Sequence, residues 1–390
     1  MSYYNKEETE KRLVKVRELL AKHNLDAALI YFDELNIANG WYLTGWHGQF
    51  EKGAVLVPIH GEPILLGGPE SEPFAQMDSA ITKVRCFPVF MVPDEEYPNA
   101  HIIDFTELNK ELKEEGTILH RVGIVGTTTI PHQVYIDFQA GFEGVELVDI
   151  TDDYEVFRAY KSSWEDAQCE NSVKMCDIAR DKMMEAVKPD AFEYEVAAAG
   201  EYICRKMGAD SFAYQTIVGS GERAKAVVPT ATNRKMKDGE LVMLGIAPRS
   251  NGYAGTFGDT VPVNGVYTQQ QKDLLNHMRE TFRLTYNMLK PGNRGIEIDE
   301  PGRKYYEKHG LLRYLVCPFA HSMGLMEAES PFFGPNGDFE LVPGMIVNID
   351  VSFFGHPDLY GGRIETGFVI TEEGARPLSP KLFDYFMNDL

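Results

Sequence analysis

The sequence lacks several features that would point to particular classes of protein. No run of about 18 apolar residues is present that could span a bilayer. The glycine-rich pieces carry no phosphate-loop pattern, and no G-x-S-x-G motif of a serine hydrolase occurs. Cysteines are few, odd in number and without a C-x-x-C pair: Cys86, Cys169, Cys176, Cys204 and Cys317. This usage argues against a disulfide framework or a thiolate zinc site and favours a reducing compartment.

Basic residues are scarce relative to acidic ones. The 38 lysines and arginines face 59 aspartates and glutamates, which gives a formal net charge of −21. Nucleic acid and anionic membranes would be repelled, so we expect neither as a partner. A small neutral or cationic ligand is compatible with this charge. The polar beginning, MSYYNKEETEKR, has no signal-peptide pattern, so we expect a cytoplasmic protein.

The length of 390 residues predicts two domains. Near the beginning, Leu13, Val16 and Leu20 form the apolar stripe of a helix for which Asn24 offers a stop. Apolar segments bounded by glycine and proline then predict strands: DAALIYF, GAVLVP, EPILLGG, VGIVG and VELVDI. We therefore predict an α/β domain over residues 1–155.

Residues 156–390 show a different pattern, after a polar stretch at 151–165 that we interpret as the connection. Two amphipathic helices are predicted, one around Cys176 to Val187 and one around Leu275 to Leu289, where Pro291 follows. Strand-like segments surround the second helix: ELVMLGIA, MIVNIDVSFF and RIETGFVIT. Helices combined with hairpin-like strands predict an α+β domain.

Four segments carry a resemblance to a known family. NIANGWYLTGW is similar to an N-terminal "N-x-x-YLTG" segment, AYKSSWEDAQCENSVKMCDIA to a "K-S-x-x-E" helix start, and LKPGNRGIEID to a Pro-Gly stop. AHSMGL, LVPGMIVNID and GGRIETGFVIT resemble "GHGIGL", "EPGM-x-x-x-IE" and "RIED-x-x-x-VT". This order resembles the pita-bread family of aminopeptidase P, prolidase and creatinase. The resemblance implies a pita-bread C-terminal domain after a creatinase-type N-terminal domain.

In metal-dependent members of that family, two Asp, one His and two Glu hold two divalent ions, whose bridging water becomes a nucleophile. The resemblance places these ligands, in order, at Gly245, Thr256, His321, Asp350 and Glu365. The first two positions cannot supply a carboxylate. The family's second, proton-donating His falls on Ala328, and the catalytic His of creatinases falls near Val228. The resemblance thus implies a degenerate metal site.

His321, Asp350 and Glu365 are therefore the predicted catalytic residues, and we expect them to converge in space. The leading hypothesis is a creatinase-like hydrolase without a cofactor, acting on a C–N bond of a small non-peptide substrate. Glu365 and Asp350 would orient the substrate or activate water, and His321 would carry the proton. The alternatives are one divalent ion on the same three residues, in a hydrolase, a lyase or an Xaa-Pro peptidase-like enzyme, and a non-catalytic binding protein.

Asp259 is a fourth catalytic candidate, although a turn residue is the ordinary alternative. Aromatic and histidine side chains near these segments are candidates for substrate binding, with core packing as the ordinary alternative: Trp46, His47, Tyr253, Phe332, Tyr360 and His356. Aromatic faces attract cations, which suits a cationic or zwitterionic small molecule. The resemblance also implies a homodimer whose N-terminal segments reach over the partner's site.

Overall fold

The structure, a computed structural model, describes residues 4–93 and 97–390. The chain divides into two compact units, Met1–Arg158 and Ala159–Leu390. The sequence prediction placed the boundary between residues 155 and 156. Within the polar stretch at 151–165, where a connection was predicted, the structure has a short helix and the start of a long one.

The first unit alternates helices with strands, as predicted. In chain order its elements are α1 (Lys6–His23), β1 (Ala27–Phe32), α2 (Ala38–Thr44), β2 (Gly53–Pro58), β3 (Ile64–Gly67), α3 (Ser71–Asp78), β4 (Val84–Cys86), α4 (Phe105–Glu114), β5 (Arg121–Val125), α5 (His132–Gly141), β6 (Glu146–Asp149) and α6 (Thr151–Glu155). The predicted helix stop is confirmed, because Asn24 follows α1 with a left-handed φ of 52°.

These six strands form one mixed sheet in the order β4-β3-β2-β1-β5-β6. β1 pairs antiparallel with β2 and parallel with β5. All residues of β1 and β2 are buried, as expected for central strands that are covered on both faces. The unit is therefore an α/β domain with its own hydrophobic core.

The second unit contains longer helices and an antiparallel sheet. Its elements are α7 (Ser163–Ala186), α8 (Glu193–Lys206), β7 (Ile217–Ser220), β8 (Leu241–Ile246), β9 (Arg249–Ser250), β10 (Tyr253–Ala254), β11 (Phe257–Pro262), α9 (Gln269–Met288), α10 (Gly295–Lys308), β12 (Ala320–Ser322), β13 (Glu329–Phe332), β14 (Ile346–His356), β15 (Tyr360–Thr371), β16 (Gly374–Pro377) and α11 (Pro380–Met387). Ser162 and Glu165 form a capping box at the start of α7.

The large sheet has the order β13-β12-β14-β15-β11-β8-β7, and every pair in it is antiparallel. Its two faces differ in chemistry because side chains alternate along a strand. On β14, Val347, Ile349 and Val351 join the main hydrophobic core together with helix residues such as Phe282 of α9. The residues between them, including Asp350, therefore point to the opposite face, and that face carries the candidate site.

Within the described ranges, 4–93 and 97–390, no helix is both long enough and apolar enough to cross a bilayer.

A buried ion pair links the start of the second unit to β13. Lys161 Nζ lies 2.7 Å from Glu329 Oε1, and both side chains are almost fully buried. Removing one partner would take away the charge that faces the other in a buried environment, which is costly in free energy. We therefore expect Lys161→Met to lower the free energy of unfolding by about 3–5 kcal/mol in urea denaturation.

The matched control is Lys304→Met. It breaks an exposed pair in which Lys304 Nζ lies 2.7 Å from Glu300 Oε1. An exposed pair contributes at most about 1 kcal/mol, so this variant should resemble the parent protein. Equal effects of the two substitutions would contradict the prediction.

Candidate active site

Three predicted residues converge on the polar face of the large sheet. His321 lies on β12, Asp350 on β14 and Glu365 on β15, and one ligand atom from each lies within 4.8 Å of the others. Asp350 and Glu365 are directly paired across the two strands. The predicted convergence is confirmed. These three residues are named here the triad.

Of the two positions that lack carboxylates, Gly245 lies on β8 and Thr256 directly precedes the neighbouring strand β11. Gly258 of β11 pairs with Glu365 on one side and with Gly245 of β8 on the other. The hydroxyl of Thr256 lies 2.9 Å from that of Tyr214. A Cβ atom at Gly245 would lie 3.3 Å from the Tyr214 hydroxyl. Hydroxyl groups and glycine therefore occupy the part of the site where the family resemblance would place two carboxylates.

Arg363 and Asn348 hold the carboxylates of the triad. Arg363 Nε donates to Asp350 Oδ1 at 3.0 Å and lies 3.8 Å from Glu365 Oε2. The Asn348 amide donates to Glu365 Oε1. Arg363 and Glu365 lie two positions apart on β15, and Asn348 and Asp350 lie two positions apart on β14. Because side chains alternate between the faces of a sheet, all four share one face.

Glu327 adds a further carboxyl group from the loop between β12 and β13. Its Oε1 lies 3.4 Å from His321 Nε2, whereas Glu365 Oε1 lies 3.8 Å from the same nitrogen. His321 Nδ1 lies 3.1 Å from the carbonyl oxygen of Ser322, which fixes the ring orientation. The imidazole therefore faces two carboxyl groups.

Burial and mutual charge shift the pKa values of this cluster in opposite directions. Burial alone lowers the pKa of His321, but the neighbouring carboxylates outweigh it and raise the pKa to about 9. Burial raises the pKa of Glu327 and of Asp350, and in both cases the nearby cations oppose it only in part. The pKa of Glu365 is lowered despite burial, because His321 and Arg363 both stabilise its charged form.

Sequence reasoning did not select four residues of this cluster: Asn348, Arg363, Glu327 and Tyr214. A signal existed for two of them, because Asn348 and Arg363 each lie two positions from a predicted residue on the same strand. Glu327 and Tyr214 lie outside the strands, so no periodicity indicated their direction.

Asp259 does not join the triad, which corrects the prediction of a fourth catalytic residue. Its Oδ2 accepts hydrogen bonds from Arg180 Nε at 2.9 Å and Nη2 at 2.6 Å. Its strand neighbours Phe257 and Val261 lie in the hydrophobic core. Asp259 therefore shares their face and points away from the triad, because Gly258 is the residue that pairs with Glu365.

Tyr253 is also placed differently from the prediction of a substrate-binding residue. It is buried, its hydroxyl donates to Glu165 Oε1 of α7 at 2.6 Å, and its ring meets Trp164 edge-on. Through these contacts Tyr253 packs against the beginning of α7.

Three other predicted substrate-binding residues lie at different distances from the triad. Phe332 pairs with His321 across β12 and β13 and is 58% exposed, so it remains a candidate. Tyr360 lies five positions before Glu365 on β15, which corresponds to about 16 Å along a strand. His356 lies six positions after Asp350 on β14, and its Nδ1 accepts from the backbone of Asp358 and Leu359. The last two do not come together with the triad.

Trp46 and His47 belong to the first unit. The Trp46 ring is buried and packs edge-on against Phe32 and Phe74. His47 is half-buried beside Trp41, with Nδ1 at 2.8 Å from the carbonyl oxygen of Gly48. Their role in substrate binding, the homodimer and the cytoplasmic location stay predictions.

Comparison with known proteins finds related families for both units. Residues 167–372 match the model of Metallopeptidase family M24, and residues 12–160 match the Creatinase/Prolidase N-terminal domain. An uncharacterized peptidase of Bacillus subtilis, YqhT, is 31% identical over 372 residues, covering 95% of this chain and 98% of its own. An Xaa-Pro dipeptidase of Pyrococcus furiosus is 24% identical over 371 residues, with the same two coverages.

The solved structure of a prolidase from Pyrococcus horikoshii shares the fold. It is similar with a TM-score of 0.79 at 23% identity, over 94% of this chain and 97% of that chain. The predicted pita-bread domain after a creatinase-type N-terminal domain is confirmed.

The expectation of a site without a metal is wrong. The matching family is one of metallopeptidases, which depend on divalent ions. The mechanism built on that expectation, with His321 as the proton carrier, is withdrawn with it. The alternative of one divalent ion on the triad is compatible with the family.

The raised pKa of His321 predicts a pH dependence of stability in protein stripped of divalent ions with EDTA. A pKa raised from 6.5 to about 9 in the folded state gives stability that is complete below pH 6.5 and is lost as the pH rises through 9. Between pH 6.5 and pH 9 the free energy of unfolding should fall by about 3 kcal/mol. Urea unfolding of the parent protein and of His321→Gln should therefore diverge over this range. Parallel pH profiles would contradict the assignment.

Proposed function

The chain is a hydrolase that belongs to Metallopeptidase family M24, and we propose that it cleaves a C–N bond of a small non-peptide substrate with one divalent ion. The observation that carries the proposal is the triad: one imidazole nitrogen and two carboxylate oxygens lie within 4.8 Å of one another. The matched N-terminal domain, described for both creatinase and prolidase, is compatible with a non-peptide substrate.

The donor set fits one divalent ion better than two. One His and two carboxylates are a common set for a single ion that keeps open positions for substrate. A second ion would need further carboxylates, whereas Gly245 and Thr256 provide none. The Thr256 hydroxyl is instead hydrogen-bonded to the Tyr214 hydroxyl. The degenerate metal site is therefore part of the proposal.

The residues around the triad would prepare the site for hydrolysis. A bound divalent ion supplies Lewis-acid activation of water and of the substrate's carbonyl group. Asn348 and Arg363 hold the carboxylates of Glu365 and Asp350 in position through hydrogen bonds. Such supporting bonds limit the rotamers of metal ligands. Glu327 brings a further carboxyl group, with its Oε1 at 3.4 Å from His321 Nε2.

A cavity beside Tyr214 supports a small substrate. Its volume of about 580 Å³ lies within the usual range of small-molecule sites. Glu201 and Arg205 of α8 both line it, together with the Phe212 ring. The Arg205 guanidinium lies over the Phe212 ring, 5.1 Å from its centroid, and the opposite charges of Glu201 and Arg205 suit a zwitterionic molecule. Tyr214 itself connects this cavity with Thr256.

An Xaa-Pro peptidase-like activity is the second candidate. It is favoured by the 31% identity to a peptidase over nearly the full length of both chains. Creatine and an Xaa-Pro dipeptide such as Ala-Pro are suitable probes for the two activities. Cleavage of Ala-Pro without cleavage of creatine-like or betaine-like compounds would favour the second candidate over the first.

His321→Ala removes one of three ion ligands. We expect it to lower kcat/KM by at least about 100-fold on whichever probe is cleaved, together with a loss of bound Mn²⁺ measured by elemental analysis. The matched control is His277→Ala, because His277 contacts Tyr305 on the helical layer instead of the triad. Unchanged turnover of His321→Ala, or an equal loss in both variants, would exclude the proposed role.

The double variant Gly245→Asp/Thr256→Asp tests the number of ions. It returns two carboxylates to the polar face, so we expect bound Mn²⁺ to rise from one to two ions per chain. The neighbours of Gly245 must move by a few tenths of an ångström, since a Cβ there has atoms at 3.3 Å. The control variant Gly245→Asn/Thr256→Asn adds nearly the same side-chain volume without charge, so it should still bind one Mn²⁺ ion per chain. Two ions in the parent protein would refute the one-ion proposal.

A further inference from the structure

Glu327 is directed into the site from the loop between β12 and β13. Its side chain is 18% exposed, and its Oε1 lies 3.4 Å from His321 Nε2. The next residue, Ala328, is exposed and offers only a methyl group. The loop therefore directs the Glu327 carboxyl toward the site, instead of the residue at the position of the family's second histidine.

Contacts on both sides of Glu327 hold this loop in place. The carbonyl oxygen of Gly324 accepts a hydrogen bond from the backbone nitrogen of Ala254 at 2.8 Å. After Glu327, Glu329 forms the buried ion pair with Lys161. The position of the Glu327 carboxyl is therefore constrained by the surrounding structure.

The distances around His321 fit the ligands of one ion better than they fit hydrogen bonds. His321 Nε2 lies 3.4 Å from Glu327 Oε1 and 3.8 Å from Glu365 Oε1. A well-formed N–H···O hydrogen bond is about 2.7–3.2 Å long. Two atoms that each bind one ion at about 2.1 Å are about 3.0–3.8 Å apart when the angle between the bonds is about 90–130°. Both observed separations fall within this range.

The two glutamates also contact each other. The carboxyl groups of Glu327 and Glu365 are joined by a hydrogen bond. Two carboxylates in contact at a buried site repel each other when both are ionised. A cation that both of them bind removes this repulsion, so the pair is suited to a metal ion.

Glu327 reaches the part of the site that lacks two carboxylates. Burial raises the pKa of the Tyr214 phenol, and the nearby charges of Glu365 and Glu327 raise it further. The Tyr214 hydroxyl in turn lies 2.9 Å from that of Thr256. The β12–β13 loop therefore brings a carboxylate close to the region where Gly245 and Thr256 supply none.

We propose that Glu327 is a fourth ligand of the divalent ion, which is then held by the triad and by one carboxylate from the β12–β13 loop. The inference rests on the proposed function, because it assumes that the triad holds an ion. It gives the site one imidazole and three carboxylates, and carboxylate-rich sets of this kind suit Mn²⁺.

The first test is calorimetric titration of metal-stripped protein with Mn²⁺. Glu327→Gln keeps the size of the side chain but replaces the carboxylate with a neutral, weaker ligand. It should therefore bind Mn²⁺ at least about tenfold more weakly than the parent protein. The matched control, Glu372→Gln, removes an exposed carboxylate from the turn between β15 and β16 and should stay within about threefold of the parent. An equally small effect of Glu327→Gln would overturn the inference.

Visible absorption of the Co²⁺-loaded proteins separates a ligand from a nearby charge. Loss of a ligand changes the coordination of Co²⁺ and shifts its d–d bands, whereas a charge outside the coordination sphere changes the affinity alone. The Co²⁺ spectrum of Glu327→Gln should therefore differ from that of the parent, and Glu372→Gln should reproduce the parent spectrum. Weaker Mn²⁺ binding with an unchanged Co²⁺ spectrum would reject Glu327 as a ligand.

Thermal unfolding of each metal-stripped variant shows whether it is folded before titration. If Glu327→Gln is unfolded, Glu327→Asp takes its place, because it keeps the charge and shortens the reach of the carboxylate by one methylene. It should bind Mn²⁺ at least about threefold more weakly and alter the Co²⁺ spectrum, and parent-like values of both would contradict the inference.

The outcomes separate this inference from the proposed function. A parent protein that binds no Mn²⁺ refutes the proposed function, and the inference falls with it. A parent protein that binds Mn²⁺ with the same affinity and Co²⁺ spectrum as Glu327→Gln refutes the inference alone, while the triad remains a metal site.

Discussion

The pairing register of β14 with β15 is the constraint on which the site depends. Asp350 stands opposite Glu365, and Asn348 and Arg363 lie two positions away on their strands. Because side chains alternate along a strand, this register places all four on the face opposite the hydrophobic core. A shift by one residue would move the carboxylates into the core and the apolar residues to the site. The apolar packing of Ile349, Val351 and Ile364 therefore also fixes the position of the polar residues.

Buried charge is the second constraint, and it couples residues that lie far apart in the sequence. An isolated buried carboxylate is costly, so Asp350, Glu365 and Glu327 require cations nearby. Arg363 and His321 meet that need, and the opposite directions of the pKa shifts reflect it: Glu365 is held ionised while Asp350 and Glu327 are shifted toward their neutral forms. A bound ion would change this balance, because it adds positive charge where the carboxylates converge.

Much of the fold and the centre of the site could be predicted from the sequence. Apolar runs such as AALIYF gave the strands, Asn24 gave a helix end, and the family resemblance gave His321, Asp350 and Glu365. Asp259 was misplaced because residues 257–262 were not predicted as a strand; within that strand, alternation puts Asp259 on the core face with Phe257 and Val261. Glu327 was passed over because its direction depends on a loop. The metal was misjudged because missing ligands were taken to mean a missing ion.

The large sheet has a core face and a polar face, and their separation explains how the fold and the candidate metal site can change independently. The core side of the large sheet is built from residues such as Phe257, Val261 and Ile364, which determine packing and therefore the fold. Gly245 and Thr256 contribute little to that packing, so a carboxylate can be absent there without loss of the architecture. The resemblance in sequence includes the core face, the turns and the triad, whereas the number of ions depends on which polar-face positions carry a carboxylate. Fold similarity alone therefore does not determine the chemistry, which depends on the triad and the charges around it.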